Sequence, residues 1–215
     1  MHQVALFLYF AKLPTKKVPI LTQSKPRTLY NEPILFHREI YGYSNRIHMA
    51  WHTPSLYSDE DSVADVAATV LTGLFNSRFR RGSRYTIDHN AYQQSLHAGS
   101  VFHLVANLGK GVSLEDARKE METTVAGLWS EPPTDFEIDA AVQRLMRSLL
   151  LRLEDALEKA RFFTDVLTAL DRPVDPIDYE HRRYRAVTGQ AVRDFVIRYL
   201  RPENRAIVVF DTGRA

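Results

Sequence analysis

The 215-residue sequence predicts an α+β fold: an antiparallel sheet with helices packed mainly on one face. Three observations carry this. Segments with apolar residues at every second position come in adjacent pairs, before Trp51 and again between Tyr92 and Leu108. Segments with apolar residues at helical spacing come in groups, most of them after Ser113. A single apolar strand, "NRAIVVF", closes the chain. A doubly wound parallel sheet would instead alternate strand and helix throughout.

The elements follow in order. "MHQVALFLYFAKLP" is apolar from Val4 to Ala11, too short a run to span a bilayer. No Lys or Arg precedes it and no small-residue cleavage site follows, which argues against a signal peptide. Residues 1–11 are expected to be a helix that docks elsewhere. Residues 12–33 hold Pro14, Pro19, Pro26 and Pro33, a density that predicts an extended linker. The main domain is expected over residues 34–215. It opens with strands "ILFHREIYG" and "NRIHMAW", joined through "YGYSN" as a hairpin or short loop.

"SDEDSVADVAATVLTGLF" predicts a helix over 59–74. Ser58 is placed to cap it, acidic residues favour its first turn, and it is expected to fade near Gly73. Two strands follow up to Leu108, with "HAGS" as the turn through Gly99. Ser113 opens a helix over 114–129. Thr134 opens a long one over 135–160 with the S/T-x-x-E capping pattern, "TDFE". "RFFTDVLTALD" is a further helical piece, and "TGQAVRDFVIRYL" predicts the last helix, over 189–200.

Composition narrows the function. Apolar residues make up 45% and charged residues 25%, so a globular core fits this length. A net charge of only +2 does not call for nucleic acid. With no cysteine there is no thiolate metal site, disulfide or cysteine nucleophile, and cytosol and periplasm fit equally. His48 and His52 are four apart, but on a strand that separates them by roughly 13 Å, too far for one zinc ion. At "YEH", Ile177 stands where an H-x-x-E-H motif needs its first histidine. No G-x-S-x-G elbow or P-loop occurs. The arginines of "HRRYR" and at 193, 198, 201 and 205 are expected to be a solvated face.

"SRFRRGSRYTIDHNAY", Ser77 to Tyr92, differs from these. It carries four arginines in its first eight residues and joins a buried helix to a strand, where functional residues concentrate. Arg84 and Tyr92 flank the connection, and both can donate hydrogen bonds to peptide carbonyls.

At these residues the sequence becomes familiar. The stretch from "RIHMAWHTPSLYSDEDSVADV" through "FNSRFRRGSRYTIDHNAYQQSLHAGSVFHLVANL" resembles the second half of the pitrilysin/insulinase family of zinc metallopeptidases, which includes the mitochondrial processing peptidases. "SEPPTDFEIDAAVQRL" is similar to a helix start of that half and "YLRPENRAIVVF" to its closing strand. "YFAKLP" resembles the last helix of the preceding half. The resemblance implies the non-zinc half of a clamshell peptidase. Zinc would be held by an H-x-x-E-H-bearing half in the same or another chain, a dimer being one arrangement, and none by this chain. It implies Arg84 and Tyr92 as substrate-binding residues, with peptide as substrate. The family places this arginine and tyrosine about seven apart; here they are eight apart, which leaves Arg78 and Arg81 as alternatives to Arg84. A second expectation is a non-catalytic interaction subunit that keeps the peptidase fold, as in the core subunits of respiratory complexes.

Overall fold

A computed structural model of the chain describes residues 34–39, 44–80, 86–170 and 175–212. The expected leading helix (1–11) and linker (12–33) lie outside these residues. The strands are β1 (Ile34–Glu39), β2 (Arg46–Thr53), β3 (Thr86–Gln94), β4 (Ser100–Leu108) and β5 (Arg205–Asp211). The helices are α1 (Asp61–Arg80), α2 (Leu114–Ser130), α3 (Asp135–Arg152), α4 (Ala156–Leu170), α5 (Pro176–Arg185) and α6 (Gly189–Tyr199).

The strands form one sheet in the order β1-β5-β2-β4-β3. Three of its four pairings are antiparallel, as the paired strands in the sequence predict. The fourth is not: β5 runs parallel to β1 and separates it from β2. Of the two connections expected between β1 and β2, hairpin or short loop, the hairpin is therefore ruled out. Period-two patterning identifies a strand and its faces but carries no information about its neighbour.

Register fixes which residues share a face. Ala91, Leu104, Met49 and Ile207 stand opposite one another across β3, β4, β2 and β5, all buried. Trp51 and Phe102 form the next pair of that face, and Phe195 of α6 reaches the Phe102 ring with centroids 6.2 Å apart. This is the main core, closed from the helix side by apolar residues of α1, α2, α3 and α6. Burying such aromatic side chains contributes on the order of 2–3 kcal/mol each. A smaller cluster, Leu149, Leu153, Phe162 and Val166, joins α3 to α4.

The helix starts follow local chemistry. Thr134 and Glu137 cap each other: the Glu137 amide donates to the Thr134 hydroxyl at 3.3 Å, and the Thr134 amide to Glu137 Oε2 at 2.8 Å. Ser113, Asp175 and Thr188 each accept a backbone amide at the start of α2, α5 and α6. Ser58 does not cap α1, contrary to expectation. Its carbonyl accepts the Asp61 amide at 3.1 Å, but its buried hydroxyl has no hydrogen-bond partner. Asp61 instead ties the turn from inside the helix, accepting the Tyr57 amide at 3.1 Å.

Two helix boundaries also differ. α1 continues past Gly73 to Arg80, because Phe75 is fully buried and packs against the His89 ring, which outweighs a glycine cost of about 1 kcal/mol. The expected helix over 135–160 is two helices. α3 stops at Arg152, and Asp155 accepts the Leu157 and Glu158 amides at 2.9 Å to start α4.

Candidate substrate-contacting site

Alternation on β3 turns Ala91 toward the helices and Tyr92 to the opposite side. The row that holds Tyr92 continues through His103 and Ala50 to Ala206, on the sheet face away from the helices. Tyr92 is 39% exposed there. Its ring stacks on His103, with centroids 4.7 Å apart and planes 22° from parallel. His103 is held from two sides: His48 Nε2 lies 2.8 Å from its Nδ1, and Gln94 Oε1 lies 3.3 Å from its Nε2. Since Gln94 Oε1 can only accept, His103 donates from Nε2 and accepts at Nδ1, so His48 donates from Nε2. Burial, then the neighbouring His103 and Arg46, pushes His48 down to about 4. Burial also lowers His103. Only His103 must be neutral for this chain, because its Nδ1 accepts, and burial favours that form.

Tyr92 is thus described, whereas Arg84 and Arg81 lie outside the described residues, as does the side chain of Arg78. The sequence named Tyr92 but not its partner. His103 sits directly opposite Tyr92 in the β3–β4 register, and that pairing was not legible before the strands were aligned.

The helix side carries a second polar group. Asp61 and Asp65, one turn apart on α1, face Glu180, Arg183 and Tyr184 of α5 along a cavity of about 460 Å³. Arg183 Nη2 donates to Asp61 Oδ2 at 3.0 Å, and its Nε lies 3.4 Å from Glu180 Oε2. The guanidinium carbon is 4.9 Å from the Tyr57 ring centroid and 5.7 Å from those of Tyr179 and Tyr184. Tyr184 donates to Asp65 Oδ2 at 2.8 Å. Burial and then the charge of Asp61 raise Asp65 to about 7, against the opposing Tyr184 hydrogen bond. Burial likewise raises Glu180.

The expected solvated arginine face is therefore corrected at two positions. Arg183 is 12% exposed within this network, and Arg205 is 9% exposed, bonded to Glu122 at 2.6 Å. Arg182 and Arg185 do face solvent.

Neither group suits zinc. The facing nitrogens of His48 and His103 are taken up by each other, Asp61 and Glu180 are paired with a guanidinium, and Asp65 accepts from Tyr184. Among the described residues no three His, Asp or Glu side chains converge on a metal position. None of the described helices is long and apolar enough to cross a membrane.

Residues 4–145, more than half of the chain, match the family model described as the peptidase M16 inactive domain. The chain belongs to this family. The M16 assignment accords with the pitrilysin-type resemblance of its motifs. No curated protein matches the chain. Among solved structures, a protease from Helicobacter pylori superimposes with a TM-score of 0.79 at 14% identity, over 95% of this chain and 50% of that one. The periplasmic protease PqqL from Escherichia coli gives 0.71 at 16% identity, over 98% of this chain and 24% of that one. A protein described as a candidate zinc protease from Bordetella pertussis Tohama I gives 0.65 at 17% identity, over 78% and 94%. The M16 chain thus spans about half the length of the Helicobacter protein it matches. Its fold is that of a non-catalytic peptidase half.

Proposed function

We propose that this chain is the substrate-binding half of a zinc-dependent peptidase and works with an H-x-x-E-H-bearing half supplied by the same or another chain. The observation that carries this reading is the position of Tyr92: an exposed aromatic donor on the sheet face opposite the helices, in a domain of the inactive M16 family. The zinc half would activate water. This half would hold the peptide, with the Tyr92 phenol and the Arg84 guanidinium donating to substrate carbonyls. Positioning of that kind supplies rate without any metal ligand from this chain.

Reconstitution tests it. The full chain is combined with a separately expressed H-x-x-E-H-bearing half of this family, and cleavage of a fluorescence-quenched peptide is followed. Activity is expected only with both halves present. Tyr92→Phe is expected to lower it by up to about a hundredfold, the cost of one well-placed donor, while the halves still co-elute. A Tyr92→Phe assembly with full activity would remove the assigned role. Stable association without peptidase activity would favour the interaction-subunit alternative.

A further inference from the structure

We propose that His103 is the positioning residue for Tyr92, oriented in turn by His48; this rests on the reading of Tyr92 as a substrate-contacting residue. An exposed tyrosine on a strand has several rotamers open to it, and a phenol that must meet a substrate carbonyl gains from being held in one of them. Among the described residues no hydrogen bond fixes the Tyr92 hydroxyl. What fixes its ring is the stack on His103, the residue directly opposite in the register.

His103 is itself pinned at both ring nitrogens, by His48 on β2 and by Gln94 on β3. The contact is diagonal: His48 pairs with Val105, two residues along β4 from His103. Three strands therefore set the orientation of one phenol. The row faces away from the helices, so the main core does not depend on it. Each imidazole donates one hydrogen along this chain, which runs in one direction, from His48 to His103 to Gln94. A single tautomer of His103 satisfies it, which locks the imidazole plane on which Tyr92 rests.

The same reconstituted assembly tests the inference with three variants of the full chain. Loss of an aromatic stack corresponds to roughly a tenfold effect. His103→Ala is expected to lower kcat/KM by about that factor, and His103→Phe, which keeps a ring to stack on but no hydrogen bonds to lock its plane, to recover only part of it. In parallel, ring signals of Tyr92 are recorded by NMR from tyrosine-labelled isolated chain. They are expected to shift and sharpen toward averaged values in His103→Ala. Tyr92→Phe separates the two ideas. If it costs activity while His103→Ala does not, the positioning role is overturned and the substrate-binding role of Tyr92 stands. If Tyr92→Phe costs nothing, the substrate-binding reading falls and this inference with it. Unchanged Tyr92 signals in His103→Ala, or a His103→Phe as impaired as His103→Ala, would each overturn the stacking account.

Discussion

The Thr72 hydroxyl closes the edge of the described sheet at Ala91. It accepts the Ala91 amide at 3.0 Å and lies 3.2 Å from the Ala91 carbonyl, to which it donates. β3 is the outermost strand on that side, and an open strand edge can pair with other chains. One side chain from α1 thus satisfies both backbone groups of a buried residue. Thr72→Val keeps the shape and removes both bonds. It is expected to cost about 1–3 kcal/mol, read as a lower urea midpoint at constant m, with faster exchange of the Ala91 amide.

Gly189 begins α6 where the backbone of Pro133 comes close. A Cβ added there would lie 2.0 Å from the Pro133 carbonyl oxygen, which cannot move without moving the start of α3. Alanine would gain about 1 kcal/mol in helix propensity. The clash costs more, roughly 1–3 kcal/mol net of that gain, because backbone must shift. Gly189→Ala is expected to lower the thermal midpoint, and a raised midpoint would refute the close approach.

Asp65 makes stability depend on pH in the less common direction. Its folded pKa, about 7, lies above the ordinary carboxylate value of 3.8. Between these values the folded state keeps a proton that the unfolded chain has lost. This group's contribution is therefore full below about pH 4, declines as pH rises toward 7, and is flat beyond. The slope approaches about 1.4 kcal/mol per pH unit within that window. Asp65→Asn still accepts the Tyr184 hydrogen bond without the charge. It is expected to match wild type near pH 4 and to exceed it at pH 8 by roughly 2 kcal/mol or more in denaturant unfolding. Equal stability at pH 8 would show that Asp65 ionises without penalty.

Arg183 is the cation that faces Asp61 and Glu180. Arg183→Met keeps most of the volume between the tyrosines and leaves two buried carboxylates without a counter-charge. The expected loss is about 3–5 kcal/mol at neutral pH, measured by chemical denaturation. The companion variant Asp61→Asn/Glu180→Gln/Arg183→Met is expected to regain a large part of it.

Much of the fold was legible because amphipathic period and capping chemistry are local. Thr134 with Glu137, Ser113 and the turn at Gly99 each act within a few residues, and each occurs as the sequence predicts. Most of the errors lie where distant residues decide. Phe75 carries α1 past Gly73 through tertiary contacts. The α5 segment "HRRYR" looks solvated until Asp61, more than a hundred residues earlier, is brought against Arg183. The break between α3 and α4 had a local signal, Asp155 followed by a run of helix formers, which the strong apolar pattern on either side obscured. At the candidate site, Tyr92 was recognisable from its motif, whereas His48 and His103 belong together only through a diagonal across two strands.

The parallel pairing of β5 with β1 sets an order of events during synthesis. β5 is the last of the described strands to leave the ribosome, yet it occupies an interior place between β1 and β2. Until it arrives, β1 has no neighbour among the described strands and β2 presents a bare edge. The helices and the β2–β4–β3 part of the sheet can collapse earlier, but the described sheet can be finished only by inserting β5 into a gap left open for it. Such long-range closure is slow and exposes a strand edge in the meantime. A ribosome stalled before Arg205 would therefore hold all the described helices and four of the five described strands, yet still lack a closed sheet.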